Sequence, residues 1–203
     1  MRHAVADAET MQTRASYDTP QGSVTVNYSV PGLHIAHNGA CALAVAHALG
    51  VSMDEASQGL QEYAPVGMRQ RIETIGDGIV AINDAYNANP VSMRAALETL
   101  GALSGRRFAI LGDMLELGVE EHAFHREILD FGTHLPIEQF ILVGARFQSV
   151  MPKSSRIHWF ATPEAAAHFL SPMIQTGDTL LFKGSRGSRV ERILQLLQES
   201  TLS

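Results

Sequence analysis

Four short apolar runs, each ending in glycine or a polar turn, set the strongest limit on how this chain can fold. They are GIVAI (Gly78 to Ile82), RFAILG (Arg107 to Gly112), QFILVG (Gln139 to Gly144) and TLLFKG (Thr179 to Gly184). Runs without alternation mark strands buried on both faces. Helical spacing follows each: Pro90 to about Leu103, Glu120 to Phe131, about Arg146 to Val150, and Val190 to Leu197. This order predicts an α/β fold with a doubly wound, mostly parallel sheet. Asn89 stands where it can cap the first of these helices. Pro90 suits the first helical position, where its missing N–H has no partner to lose. Met93, Leu97 and Leu100 recur at helical spacing and are expected in the core.

The stretch before Gly67 reads differently. Thr13 to Val30 predicts two strands around a Pro20-Gln21-Gly22-Ser23 turn, with Val24, Val26 and Tyr28 alternating against Thr25, Asn27 and Ser29. Pro31-Gly32 breaks this pattern. Asn38 to Gly50 predicts an alanine-rich helix with Gly50 as its C-cap. Ser52 to Glu55 is a capping-box pattern opening another helix. Glu62 to Gly67 reads as a linker, so the expected division is 1–65 and 66–203. Cys41, on the alanine-rich helix, is expected to be packed.

Charge and cysteine usage exclude several classes. The 203 residues carry a net charge of −6, which gives no basis for nucleic-acid binding. Cys41 is the only cysteine, so an intramolecular disulfide is impossible and a reducing compartment fits. No apolar run approaches the roughly 20 residues of a membrane span, and the N-terminus has no signal-peptide core. A cytoplasmic monomer is the expectation.

Polar clusters follow the apolar runs: NDAYNAN after the first, GDMLELG after the second, GARF after the third and KGSRGS after the fourth. Carboxyl ends of parallel strands share one sheet edge, where open α/β folds bind ligands. The Asp and Asn cluster is therefore expected to face the other loops across one crevice. The competing reading is that Asp and Asn only make turns and cap helices. Asp113 can orient an amine or start a helix. Lys183, Ser185 and Arg186 precede a helix beginning near Arg189, an arrangement suited to an anion. His122 and His125 share a helix face but lack a third ligand, so no metal site is expected.

PGLHIAHN (Pro31 to Asn38), INDAYNANPVSM (Ile82 to Met93), LGDMLELG (Leu111 to Gly118) and KGSR (Lys183 to Arg186) resemble, in order and spacing, motifs of the Mur ligase family. The resemblance covers the chain from about Val24 onward. DAYNANP followed by GDMLELG points to the members that join D-alanyl-D-alanine to UDP-N-acetylmuramoyl-tripeptide in peptidoglycan synthesis. It implies ATP and Mg2+ as cofactors and an acyl phosphate intermediate. It also implies a Rossmann-like domain over 66–203, preceded by a remnant of the central ATPase domain over 1–65. The family's phosphate loop, G-x-x-x-x-G-K-[ST], does not occur in these residues, so the chain is expected to be inactive alone.

Carried over residue by residue, the resemblance places Asn38 and His34 at the adenine. The family usually has arginine and asparagine where Leu33 and Ile35 stand. Asp84 is placed at the ATP ribose, and Arg69 or Arg71 at the nucleotide. Tyr86, Asn87 and Asn89 form the signature loop on the substrate side. Asp113, Lys183, Ser185 and Arg186 are placed on the dipeptide side. The alternatives are a related Mur or folylpolyglutamate ligase, and a truncated non-catalytic binding module.

Overall fold

The computed structural model describes residues 1–7 and 9–201. They form two compact units, Met1–Pro65 and Val66–Ser203. The first holds an antiparallel sheet of β1 (His3–Asp7), β2 (Gln12–Thr19) and β3 (Gly22–Tyr28) in that order, with α1 (Leu33–Ala48) and α2 (Met53–Gln61). The chain reverses between Thr19 and Gly22, one residue earlier than expected. The reversal pairs Tyr17 with Val24 and Thr13 with Tyr28. Strand β1, which the local pattern does not announce, pairs only with β2 and is half-exposed.

Helix α1 begins at Leu33, five residues before the expected Asn38, so His34 and Asn38 sit in its first two turns. It buries Ile35, Ala36, Gly39 and Leu43 at three- and four-residue spacing. Cys41 falls off that stripe and is exposed, which corrects the expectation that it is packed. Gly50 takes the left-handed conformation just beyond the helix, at φ 77°. The Ser52 side chain accepts from Glu55 N and caps α2. Beneath α1, the hydroxyls of Tyr17 and Tyr28 lie 2.7 Å apart, and Tyr17 donates to Ala36 O at 2.9 Å. Burial pushes both phenols above their ordinary pKa.

The second unit is a six-stranded sheet in the order β4-β5-β9-β6-β7-β8. Its elements in chain order are β4 (Arg71–Ile75), β5 (Ile79–Asp84), α3 (Pro90–Ala102), β6 (Arg107–Gly112), α4 (Glu121–Thr133), β7 (Gln139–Val143), α5 (Ala145–Val150), β8 (Ile157–Phe160), α6 (Pro163–Leu170), β9 (Thr179–Lys183) and α7 (Glu191–Thr201). Only β4 runs antiparallel, so the expected α/β, mostly parallel architecture holds. One face of the sheet buries Phe108, Ile110, Ile141 and Phe182 against Leu170 of α6 and Ile193 and Leu197 of α7. Met93, Leu97 and Leu100 of α3 are fully buried, as their spacing predicts. Asn89 caps α3: its side chain accepts from Ser92 N at 2.8 Å, and Ser92 Oγ accepts from Asn89 N at 3.1 Å.

Strand β9 is last in sequence yet lies between β5 and β6. Helix α3, after β5, packs with α4, whereas α7, after β9, packs with α6 and β4. The connections leaving β9 and its neighbours thus part to opposite faces, which opens the sheet edge beside it. Among the described residues, no helix is long and apolar enough to cross a membrane.

Candidate functional site

The site is built where β5, β9, β6 and β7 end side by side. Register pairs Asp84 with Lys183 and Leu111 with Lys183. Flanked on both sides, the Lys183 side chain is only 2% exposed. Its Nζ donates to Asp84 Oδ2 at 2.6 Å and to Asn87 O at 3.3 Å. The other Asp84 oxygen accepts from Gln70 N at 3.2 Å. Two expectations change here. The Asp/Asn loop and the Lys/Ser/Arg loop are neighbours in the sheet, not opposed across a crevice. Lys183, expected to anchor a substrate carboxylate, is turned inward onto Asp84.

Ser185 is also buried. Its hydroxyl donates toward Asn87 Oδ1 at 3.2 Å and accepts from Leu115 N at 3.0 Å, while its own N–H donates to Asp113 O at 3.0 Å. It clasps three loops and is not a free ligand-binding group. Asn87 is exposed, although its Oδ1 also accepts from Ala88 N at 2.8 Å. Asn89 is committed to its helix cap, which leaves it the narrower role the capping pattern implied.

The Asp113 carboxylate is spread over the start of α5. Oδ2 accepts from Arg146 N and Oδ1 from Phe147 N, each at 3.1 Å. Asp113 is 5% exposed. The group offered to an incoming amine thus serves as a helix cap for the next βα unit, because Gly144 lets that backbone pass close by. Arg146 Nη1 lies 3.6 Å from Asp113, and its Nε donates to Glu121. That hydrogen bond holds the Glu121 carboxyl below its usual range and the Arg146 guanidinium above its own. Neither residue stands out in the sequence. They meet only through tertiary packing, and no local pattern joins them.

His125 completes this network. It is fully buried, Nε2 accepts from Met114 N at 2.9 Å, and Nδ1 donates to Glu121 O at 2.6 Å. A ring that accepts at one nitrogen and donates at the other is neutral, and burial pushes its pKa below the ordinary 6.5. The unfolded chain therefore binds the extra proton first as pH falls. Stability of the second unit is expected to be level above about pH 6.5 and to decline below it, by up to about 1.4 kcal/mol per pH unit. Urea unfolding followed by Trp159, the only tryptophan and a residue of this unit, reads the effect. His125→Asn should flatten the decline; an unchanged slope would assign it to other groups.

The remaining candidates lie nearer solvent. Tyr86 is 40% exposed, and the Arg69 guanidinium stacks 4.0 Å from its ring centroid. Arg71 instead opens β4, opposite Asn83 in register. Arg186 is exposed in a one-turn 3-10 helix, Arg186–Ser188, and its guanidinium makes no ion pair or hydrogen bond among the described residues. His34 and Asn38 belong to the first unit, where Asn38 is exposed. No group of three or more His, Cys, Asp or Glu among the described residues could hold a metal. His122 has Ser149 Oγ 2.9 Å from its Nδ1.

The Lys183–Asp84 pair and an Arg186 without a partner among the described residues thus stand at the carboxyl edge of a mostly parallel sheet, the edge where open α/β folds bind ligands. Residues 70–186 match the family described as Mur ligase, glutamate ligase domain, which is more than half of the chain, and the chain belongs to that family. Among its relatives, the UDP-N-acetylmuramoyl-tripeptide--D-alanyl-D-alanine ligase of Escherichia coli (strain K12) is 32% identical over 190 residues, covering 93% of this chain and 42% of the relative. The crystal structure of MurF from Acinetobacter baumannii superposes with a TM-score of 0.87 at 31% identity, over 96% of this chain and 44% of that one. The MurF ligase of Thermotoga maritima, solved in complex with ADP, gives a TM-score of 0.80 at 26% identity, over 98% and 47%. The chain spans less than half the length of these relatives.

Proposed function

We propose that this chain carries the acceptor-side part of a cytoplasmic, ATP-dependent ligase that joins D-alanyl-D-alanine to UDP-N-acetylmuramoyl-tripeptide in peptidoglycan synthesis. The observation that carries the reading is the joining of NDAYNAN, GDMLELG and KGSR into one site, in a chain 32% identical to a relative with that activity in its name. In the reaction, the tripeptide carboxylate takes the γ-phosphoryl group of ATP and ADP leaves. The dipeptide amine then attacks the acyl carbon, loses a proton, and phosphate departs as the amide forms.

This chain's residues serve positioning. Asp84, 16% exposed at its side chain, offers its remaining lone pairs to the ribose hydroxyls. Arg69, stacked on Tyr86, stands beside it for the nucleotide, and Arg71 is the second candidate. Arg186, without a partner among the described residues, fits the dipeptide carboxylate, with the exposed Asn87 amide alongside. His34 and Asn38 belong to the adenine side, and the first unit reads as the end of an ATP-binding domain. Magnesium would enter with the nucleotide, held mainly by its phosphates and by water.

Two measurements test this. With ATP, magnesium and both peptide substrates, the isolated chain should release no phosphate above a no-protein control, because its sequence has no phosphate loop. Turnover abolished by Asp84→Ala would overturn that. D-alanyl-D-alanine titrated into the labelled chain should shift amide signals near Arg186 and Asn87. Arg186→Ala should weaken this binding by about 1.5–3 kcal/mol. Equal binding would return the KGSR loop to a solvated basic turn.

A further inference from the structure

Lys183 and Lys153 are the only lysines of the chain. Lys153 is exposed, whereas the Lys183 side chain is 2% exposed. A buried ammonium persists only where acceptors compensate it. Two are in place: Asp84 Oδ2 at 2.6 Å and the Asn87 carbonyl at 3.3 Å. From the other side, the Gln70 N–H holds Asp84 Oδ1 at 3.2 Å, from a residue in the left-handed conformation at φ 55°. The carboxylate is thus gripped at both oxygens and its plane is fixed. Lys183 could reach a dipeptide carboxylate only by abandoning Asp84 in a poorly solvated place.

We propose that Lys183 is a positioning residue of the nucleotide side, orienting the Asp84 carboxylate toward a ribose diol, and not a ligand of the dipeptide. This rests on the reading of Asp84 as the ribose acceptor. A carboxylate that accepts from two adjacent hydroxyls must hold its orientation before they arrive, or binding has to order it. This effect acts through Asp84 and does not need Lys183 to touch a ligand.

The test uses the full chain and three probes: ADP, 2′,3′-dideoxy-ADP and D-alanyl-D-alanine. With 15N-lysine labelling there are two ammonium resonances, and Lys153→Met identifies that of Lys183. The Lys183 resonance should move with ADP and stay in place with the dideoxy nucleotide and the dipeptide. Lys183→Met should weaken ADP about tenfold or more and leave the other two probes within about twofold. A loss shared equally by ADP and the dideoxy nucleotide would make Lys183 merely structural and overturn the proposal. A Lys183 shift with the dipeptide would restore it as an anion anchor, also against the proposal. If the unaltered chain shows no response to ADP, the ribose reading of Asp84 fails and the positioning role falls with it. If Lys183→Met does not fold, judged by Trp159 fluorescence, the ammonium titrations of the unaltered chain decide between the same outcomes.

Discussion

Asp84→Ala is expected to destabilise the second unit by about 3–5 kcal/mol, the usual effect of removing one partner from a buried ion pair. The reason is what stays behind. Lys183 is 2% exposed, so its ammonium would lose its closest acceptor where water cannot replace it. Lys183→Met should cost less, about 1–3 kcal/mol, because Asp84 is 16% exposed and can rehydrate while methionine fills much of the lysine volume. The double variant Asp84→Ala/Lys183→Met should be more stable than Asp84→Ala alone. Urea unfolding followed by Trp159 fluorescence gives all three values within this unit. If the two single variants proved equal, the asymmetry of burial would not govern the pair.

Gly144→Ala should be nearly as damaging, at about 2–5 kcal/mol. Gly144 precedes α5 with φ 119° and ψ 156°, a conformation close to glycine's alone, and alanine there carries about 1–3 kcal/mol of strain. A Cβ at this position would also overlap the Asp113 carboxylate. Asp113 would be driven from Arg146 N and Phe147 N, and a lost cap costs about 0.5–2 kcal/mol more. Asp113→Ala separates the two contributions. It should cost the cap and the contact with the Arg146 guanidinium, and on that background Gly144→Ala should cost only the strain. Additive effects of the two substitutions would show that the close approach is not shared.

Much of this architecture is legible in short stretches of sequence. Buried parallel strands need unbroken apolar runs, and all four such runs form strands. Cap chemistry is equally local: Asn89 and Ser52 bind backbone N–H groups three residues on, as their spacing predicts. The gathering of the four polar loops also follows, since parallel strands of one sheet end at one edge. The elements without a clear local signal are of another kind. RIETI of β4 and IHWF of β8 form the two edges of the larger sheet, where half-exposure mixes polar and apolar residues and blurs the period. Helix α6 is short and rich in alanine, and its apolar stripe carries little signal.

The roles of the site side chains are decided at longer range. Asp84 and Lys183 are 99 positions apart, and Asp113 meets Arg146 and Phe147 from 33 and 34 positions away. By itself, the sequence determined which residues could be acid, base or cap, and on which edge of the sheet they would stand, because those properties follow from side-chain chemistry and a periodicity of a few residues. Only the tertiary structure decided that β9 enters between β5 and β6. That insertion buries Lys183 against Asp84, turns Ser185 into a clasp, and leaves Arg186 exposed and unpaired among the described residues. Strand order is chosen by the packing of helices on both faces of the whole sheet, and no local pattern encodes it.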